Sequence, residues 1–169
     1  ARTVVGKAVE LDPKDAAATL ASLMLNKALG DAGERVVIEE MLTGPEVSVM
    51  AMVDGRNIYI LESAADHKRL GEQDTGPNTG GMGAYSPSDA LTEEVLKVVE
   101  RDVFVPIVDG MAREGVTYKG VLYAGMMLTA GGPRVLEFNA RLGDPETQPL
   151  MMRLKSDLVD VLEATIDGR

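Results

Sequence analysis

Three polar side chains recur at every second position near the end of the sequence, and their types could carry chemistry. Glu137, Asn139 and Arg141 lie within LEFNARLGDPETQ, residues 136–148. Alternate side chains of a β-strand point to opposite faces, so these three are predicted to share one face. A carboxylate, an amide oxygen and a guanidinium in one row indicate a site for a metal ion together with bound anions. A strand with one solvated face is the alternative at this point.

The choice of donors narrows the kind of metal site that the row could form. Magnesium takes oxygen ligands and needs only one or two protein groups when phosphates supply the others. Glu137 beside the neutral Asn139 leaves such a site short of negative charge, so phosphates would have to complete it. Calcium would need more carboxylates. A glycosidase-type carboxylate pair is the competing interpretation, but the sequence places no second acid for it.

A glycine-containing segment, DHKRLGEQDTGPNTGGMGAYSP (66–87), has no helical or strand periodicity and is predicted to be a long loop, either functional or disordered. Its glycines could form a nest of backbone amides around an anion: Gly76, Gly80, Gly81 and Gly83. Lys68 and Arg69 add two cations at its root. It matches neither the dinucleotide-binding fingerprint nor the P-loop, and a flexible solvated loop is the alternative.

Two weaker candidates lie earlier in the chain. Gly6 and Lys7 form a single Gly-Lys pair, for which a surface lysine is the ordinary explanation. Glu39, Glu40 and Glu46 surround a predicted strand end and turn, where they could accept hydrogen bonds from ligand amines and hydroxyls. Exposed acids at strand ends are also common.

Composition limits the functions that the 169 residues can serve. The formal net charge of −10 disfavours nucleic-acid binding, which needs a basic surface. The absence of cysteine excludes disulfides and thiolate chemistry, and a single histidine, His67, excludes a histidine-rich zinc site. No stretch has the length of a membrane span and no targeting segment is evident, so we expect neither a membrane partner nor a location other than the cytoplasm.

The elements of the first half are predicted from residues that start helices or form turns and from the spacing of apolar residues. Asp12-Pro13 starts a helix that ends near Gly30. Residues 35–40 (RVVIEE) predict a buried strand. Residues 47–54 (VSVMAMVD) alternate and lead through Asp54-Gly55 into a hairpin.

The second half predicts helices around another hairpin. A helix begins at Thr92 and is kinked or split by Pro106, and a last helix is capped by Ser156, with Leu158, Val161, Leu162 and Ile166 on one face. Between them lies a hairpin turning at 131–133, with Phe138 on its apolar face. Two hairpins without βαβ alternation indicate an α+β fold with antiparallel sheet.

Four segments together resemble the phosphoribosylamine–glycine ligases, also called glycinamide ribonucleotide synthetases, of the ATP-grasp superfamily. They are VVIEEMLTGPEVSV, the glycine-containing segment, GVLYAGMMLT and VLEFNARLGDPETQ. The similarity runs from about Gly6 to the end of the chain. It implies an ATP-grasp core whose mainly antiparallel sheet is flanked by helices. It also implies that glycine is joined to 5-phosphoribosylamine through a glycyl phosphate, with ATP converted to ADP and phosphate, in purine biosynthesis.

The resemblance assigns roles to individual residues. Glu137 and Asn139 would hold Mg²⁺ or Mn²⁺, and Arg141 would face the acyl phosphate or the glycine carboxylate, with Lys68 and Arg69 as further catalytic candidates. ATP would contact Lys7, Glu39, Glu40, Met41, Leu42 and Glu46. The substrates would lie against Asp66, Asp74, Asn78, Gly80, Gly81, Asp144 and Glu146.

Two departures from the family pattern accompany these roles. Ala8 replaces the third glycine of the family's lid loop. Tyr123 stands where many other ATP-grasp enzymes have an acidic metal ligand, which this branch of the superfamily characteristically lacks. The chain is expected to be a partial lid (1–41) on a catalytic core (42–169), with the other domains of the enzyme as its partners. By itself it is expected to be inactive. Two alternatives are another ATP-grasp carboxylate–amine ligase of purine synthesis and a non-catalytic nucleotide- or metal-binding remnant.

Overall fold

The computed structural model describes residues 13–169, with side-chain environments from residue 16 onward. The chain divides into two units, residues 1–42 and 43–169. The predicted boundary between residues 41 and 42 lies beside this division, but the assignment of the units as lid and core stays a prediction. No helix among the described residues is long and apolar enough to cross a membrane.

The first unit contains the predicted helix but not the predicted strand. Helix α1 (Pro13–Leu20) continues as a π-helical turn, Ala21–Leu25, and a 3₁₀ turn follows at Gly30–Glu34. The predicted cap Asp12 lies outside the described residues. Residues 35–40 form no strand, and Val37 and Ile38 are 81% and 78% exposed. The prediction was wrong because β-branched residues favour a strand only where a neighbouring strand and a packing surface are available.

The second unit is built on a four-stranded antiparallel sheet with the order β2-β1-β7-β8. Its strands are β1 (Glu46–Asp54), β2 (Ile58–Ile60), β7 (Lys119–Thr129) and β8 (Gly132–Asn139). Two small ladders pair β3 (Ala65–Asp66) with β6 (Ala84–Tyr85), and β4 (Arg69–Gly71) with β5 (Thr75–Asn78). The helices are α2 (Glu93–Val99), α3 (Val105–Arg113), α4 (Thr147–Arg153) and α5 (Leu158–Asp167). Both predicted hairpins and the antiparallel α+β class are confirmed.

The main core lies between one face of this sheet and the α2–α3 region. Its buried members are Val47, Val49, Ala51, Val53, Val99, Phe104, Val108, Leu122, Ala124 and Met126. The opposite face carries a smaller cluster of Met50, Tyr123 and Leu150. Both faces of β1 are therefore covered, and all seven residues from Val47 to Val53 are buried. Ser48, also on this second face, bonds to Tyr123 and Glu146 beside this cluster.

The helices follow their predicted starts with two changes. Thr92 caps α2 by accepting a hydrogen bond from Val95 N, and a π-helical turn, Glu100–Phe104, precedes Pro106 at the start of α3. The last helix is capped by Asp157, which accepts from Val159 N, rather than by Ser156. A carboxylate one position later provides the same acceptor.

Two predicted apolar faces were wrong in part. On α5, Leu162 and Ile166 are 39% and 67% exposed. Phe138, predicted to face the core, is 41% exposed and lines a shallow groove with Val103, Pro106 and Ile107. Because β8 is an edge strand of the sheet in the described chain, one side of its ring stays open to water.

Residues 66–87 are an ordered double ladder rather than a structureless loop. Beyond the strand pairs, His67 N donates to Gly83 O, Met82 N to His67 O and Thr79 N to Lys68 O. Short strands interrupted by glycines have no sequence periodicity, which explains why the sequence did not show them. The root of this segment lies beside the start of β1, where Lys68 pairs with Glu46.

Candidate active site

The floor of the site consists of two rows of residues that cross β1, β7 and β8. In one row Ser48 pairs with Gly125, and Gly125 pairs with Glu137. In the next row Met50 pairs with Tyr123, which pairs with Asn139. Directly opposed residues of an antiparallel pair have neighbouring side chains on the same face. Glu137 and Asn139 are thus adjacent on the second face, as the alternation predicted.

Gly125 leaves room above this floor. A Cβ built on Gly125 would lie 3.3 Å from Glu137 Cγ and 3.5 Å from Tyr123 Cε1. The Glu137 side chain and the edge of the Tyr123 ring therefore both occupy the space over the glycine. Glu137 itself is exposed at its end of the sheet, so its carboxylate is available to a ligand.

Lys68 links the ladder segment to the sheet. Its ammonium forms an ion pair with Glu46, the first residue of β1. Burial lowers the pKa of Lys68, but the hydrogen bond and charge of Glu46, together with the charges of Asp66 and Glu137, outweigh it and leave the pKa above its ordinary value. Lys68 is therefore a permanent cation among three carboxylates.

Asp66 is the half-buried acid of this group. Burial raises its pKa, the nearby Lys68 opposes that shift, and the charges of Glu146 and Glu46 reinforce it. A Cβ built on Gly81, where φ is +123°, would lie 2.5 Å from Pro145 Cδ and 3.7 Å from Asp66 Oδ2. Only glycine allows the ladder segment to approach Pro145 this closely.

A buried polar triangle lies beneath the charged groups. Ser48 Oγ and Tyr123 OH each donate to Glu146 Oε1 over 2.8 Å, and the two hydroxyl oxygens are also 2.8 Å apart. Ser48, Tyr123 and Glu146 are 3%, 6% and 4% exposed. Burial first, and then the charge of Glu146, raise the pKa of Tyr123 above its ordinary value. The tyrosine is a neutral donor throughout the physiological range.

The structure thus brings together six of the predicted site residues in the second unit: Glu46, Asp66, Lys68, Glu137, Asn139 and Glu146. Gly81 adjoins them through Asp66. Glu146 is buried against Ser48 and Tyr123, and its predicted substrate contact stays a prediction.

Other predicted residues lie away from this group or have local partners. Arg69 donates to Gly76 O within its own ladder, and Asn78 is opposite it. Arg141 is exposed and donates to Leu142 O, whereas Asp144 accepts from Gln148 Nε2. Asp74 and Gly80 are exposed on the ladder segment.

The remaining predicted residues do not belong to the second unit. Lys7 lies outside the described residues. Glu39, Glu40, Met41 and Leu42 belong to the first unit. Their predicted nucleotide contacts stay predictions.

Ser48 is the functional-site residue that sequence analysis missed. Its signal was weak: it lies two residues after Glu46, on the face of β1 that also carries Met50. A small polar residue within an otherwise apolar run was the only indication of a buried partner. Tyr123 was noticed only as a departure from a family pattern.

The donors present fit a divalent cation that is completed by a phosphate ligand. Glu137 and Asn139 offer two oxygen donors from adjacent positions on the second face of the sheet, and Glu137 is exposed. Within residues 13–169 no group of three or more His, Cys, Asp or Glu side chains could hold a metal ion without such help. Two donors are the number expected when phosphates supply much of the coordination.

Comparison with known proteins identifies the fold and the family. The family model for the phosphoribosylglycinamide synthetase ATP-grasp (A) domain matches residues 3–147. The fold is that of an ATP-grasp protein, a class that uses ATP together with a divalent metal ion. The chain belongs to the phosphoribosylglycinamide synthetase family.

The relatives that it matches are longer. The chain is 59% identical over 143 residues to phosphoribosylamine–glycine ligase of Rhodopirellula baltica, covering 85% of this chain and 33% of that protein. It is 54% identical over 165 residues to the Xanthomonas axonopodis ligase, covering 97% and 38%. The crystal structure of the Thermotoga maritima ligase superposes with a TM-score of 0.80 at 38% identity, covering 95% of this chain and 41% of that one. The chain thus spans about two-fifths or less of their length.

Proposed function

We propose that this chain supplies the ATP-grasp part of an enzyme that joins glycine to 5-phosphoribosylamine in purine biosynthesis. Glycine's carboxylate would attack the γ-phosphorus of ATP, releasing ADP and forming glycyl phosphate. The amine of phosphoribosylamine would then attack the acyl carbon. Phosphate would leave, and the amine would lose a proton, giving glycinamide ribonucleotide. The names of the curated relatives support this choice of substrates.

The observation that carries the proposal is the position of Glu137 and Asn139 beside the Glu46–Lys68–Asp66 group. One carboxylate oxygen and one neutral amide oxygen suit Mg²⁺ or Mn²⁺ that binds together with ATP phosphates. A lysine at the same end of the sheet suits an anionic phosphate or carboxylate. These are the two kinds of group that an acyl-phosphate-forming ligase must hold close together.

Each residue has a distinct part in the proposal. Glu137 and Asn139 hold the divalent cation, which neutralises phosphate charge when it is bound. Lys68 keeps Glu46 oriented for the ribose hydroxyls. Asp66 and the adjoining Gly81 form the amine-substrate side, and Arg141 is the exposed cation for the glycine carboxylate.

A segment exchange tests the whole reaction. The part of this chain that aligns with the Xanthomonas axonopodis ligase, 165 residues long, would replace the matching segment of that ligase. We expect the chimera to release phosphate only when glycine, phosphoribosylamine, ATP and a divalent cation are all present. Product formation would be followed by mass spectrometry.

Matched controls make the outcome decisive. The chimera with Glu137→Gln should fold and lose activity, whereas Glu163→Gln, an exposed glutamate on α5, should leave activity unchanged. A chimera that melts like its parent but makes no glycinamide ribonucleotide would contradict the proposal. So would equal turnover with another amino acid in place of glycine.

A further inference from the structure

The buried triangle of Ser48, Tyr123 and Glu146 connects the sheet floor of the candidate site to the segment that precedes α4. Ser48 belongs to β1 and Tyr123 to β7, both on the floor. Glu146 comes from the segment after β8 and is the residue that immediately precedes α4. The triangle is therefore a tertiary connection between sheet and helix start, closed over 98 residues of sequence between Ser48 and Glu146.

The tyrosine ring fills the space between Glu137 and the α4 start. On one edge, a Cβ at Gly125 would touch Tyr123 Cε1 at 3.5 Å and Glu137 Cγ at 3.3 Å. On the other edge, a Cβ at Gly143 would lie 3.0 Å from Tyr123 Cε2 and 2.5 Å from Glu146 Oε2. Gly125 and Gly143 thus leave room for the Tyr123 ring, one edge of which faces Glu137 and the other Glu146.

We propose that Tyr123 is a positioning residue, held by Ser48 and Glu146, that sets the metal-binding end of β8 against the 141–146 corner. This inference rests on the proposed function, since it deepens the role of the same site. The ring fixes the lateral position of Glu137, while the hydroxyl fixes Glu146 and hence the backbone that carries Arg141 and Asp144. The cation side and the substrate side then keep a constant separation.

Burial explains why the hydroxyl, and not only the ring, has this effect. Glu146 is 4% exposed, and its Oε1 accepts both hydroxyls. Removing one donor from a buried carboxylate leaves it with incomplete hydrogen bonding, which is costly in a low-dielectric setting. The glutamate is expected to move toward water, and the Gly143–Glu146 turn would move with it.

The first measurement is hydrogen exchange in the 169-residue chain without ligand. Thr147 N donates to Gly143 O and Leu150 N to Glu146 O, so both amides report on the corner. Tyr123→Phe is expected to speed their exchange about tenfold, the effect of losing roughly 1.4 kcal/mol of local stability. The amides of Val49 and Ala124 in the sheet should keep their wild-type rates.

The matched control removes the hydroxyl of Tyr118, a half-buried tyrosine that immediately precedes β7. Tyr118 OH donates to Val121 O, and the ring packs against the main core on the helix-covered side. Tyr118→Phe should leave the exchange of Thr147 and Leu150 unchanged. Equal acceleration by both variants, or none by Tyr123→Phe, would overturn the positioning role.

The second measurement is nucleotide affinity with and without Mn²⁺, taken well below the melting temperature. Tyr123→Phe is expected to reduce the cation-dependent gain in ATP affinity about tenfold, and Tyr118→Phe to leave it unchanged. An undiminished gain in Tyr123→Phe would overturn the coupling to Glu137. If the wild-type chain shows no cation-dependent binding, the proposed function fails, and the exchange measurement alone decides the positioning role.

Discussion

At the scale of single residues, Lys68 balances the charges of the candidate site. It pairs with Glu46, and the charges of Asp66 and Glu137 also act on its pKa. One ammonium among three carboxylates leaves an excess of negative charge beside Glu137. A divalent cation removes that excess, so ATP and the cation should bind better together than either does alone.

Glu137→Gln tests that dependence directly. The substitution removes one charge and keeps the volume, so cation-dependent nucleotide binding should be lost. Because Glu137 is exposed, we expect the free energy of unfolding to change by no more than about 0.5 kcal/mol. Thermal shift with and without Mg²⁺-ATP is the measurement, with Glu163→Gln as the charge-matched control. A retained magnesium-dependent shift in Glu137→Gln would show that the metal role is wrong.

Asp66 and Asp54 give stability a pH dependence of opposite sign. Burial raises the pKa of Asp66, because the folded state disfavours the ionised carboxylate. The protonated side chain therefore contributes to stability below pH 3.8, and this contribution is lost as pH rises through the raised pKa. Asp66→Asn should therefore raise the melting temperature at neutral pH. The gain should shrink to nothing as pH falls to 3.8.

Asp54→Asn is the matched control with the reverse expectation. Hydrogen bonds from Asn57 and the Arg56 amide lower the pKa of Asp54 to about 2, so its contribution is complete above 3.8 and disappears as pH falls through about 2. This variant should melt lower at neutral pH, and its deficit should shrink below pH 3.8. Melting curves across this range that moved together for both variants would contradict the assigned environments.

At the scale of elements, the turn between β8 and α4 depends on a missing side chain. A Cβ at Gly143 would lie 2.5 Å from Glu146 Oε2, and that carboxylate cannot swing away while Ser48 and Tyr123 hold its other oxygen. Gly143→Ala should lower the free energy of unfolding by about 1–3 kcal/mol, the usual cost of overpacking.

Gly110→Ala in α3 is the contrasting substitution. A Cβ there meets nothing within 4 Å, and alanine is favoured over glycine in a helix. This variant should gain about 0.5–1 kcal/mol. Urea denaturation of both variants gives the two free energies, and a neutral or stabilising Gly143→Ala would show that the corner is less tightly packed than the distances require.

The sequence predicted elements where local signals and packing agree. Thr92 starts a helix because its hydroxyl accepts a hydrogen bond from Val95 N, only three residues away, and this contact does not depend on tertiary packing. Asp54-Gly55 turns a hairpin because the carboxylate accepts amides only two and three residues away. The strand predicted at residues 35–40 is absent because a strand forms only where a second strand is available to pair with it, and the local sequence does not report that. The double ladder at 66–87 was missed because its order comes from glycine-permitted backbone contacts rather than from periodicity.

The candidate site was predictable to the same extent. Alternation alone placed Glu137 and Asn139 on one face, and the register confirms it. Lys68 and Glu46 were named from their local sequence as separate candidates, but no local pattern showed that they lie together with Asp66, because these residues meet through tertiary contacts. Ser48 escaped notice because the burial of a serine depends on Tyr123 and Glu146, distant residues whose proximity no local pattern reports.

At the scale of the whole molecule, net charge and partial coverage act on nucleotide binding together. The chain carries a formal charge of −10 and spans 38% of the Xanthomonas axonopodis ligase. The acidic field repels an anionic nucleotide, and the chain alone lacks whatever nucleotide contacts the uncovered length of the relative supplies. We therefore expect ATP to bind with a Kd on the order of 1 mM, or about −4 kcal/mol, when a divalent cation is present, and more weakly still without one.

Salt separates the field of the whole molecule from the local metal site. Raising ionic strength from about 0.1 M to about 1 M shortens the Debye length from roughly 10 Å to roughly 3 Å, which screens the global repulsion but not direct coordination by Glu137 and Asn139. Calorimetry should then show weak ATP binding improving in high salt without metal, while the additional affinity gained from Mg²⁺ persists. If the magnesium-dependent gain vanished with screening, the cation would be acting only on net charge, and Glu137→Gln would bind Mg²⁺-ATP as well as the wild-type chain does.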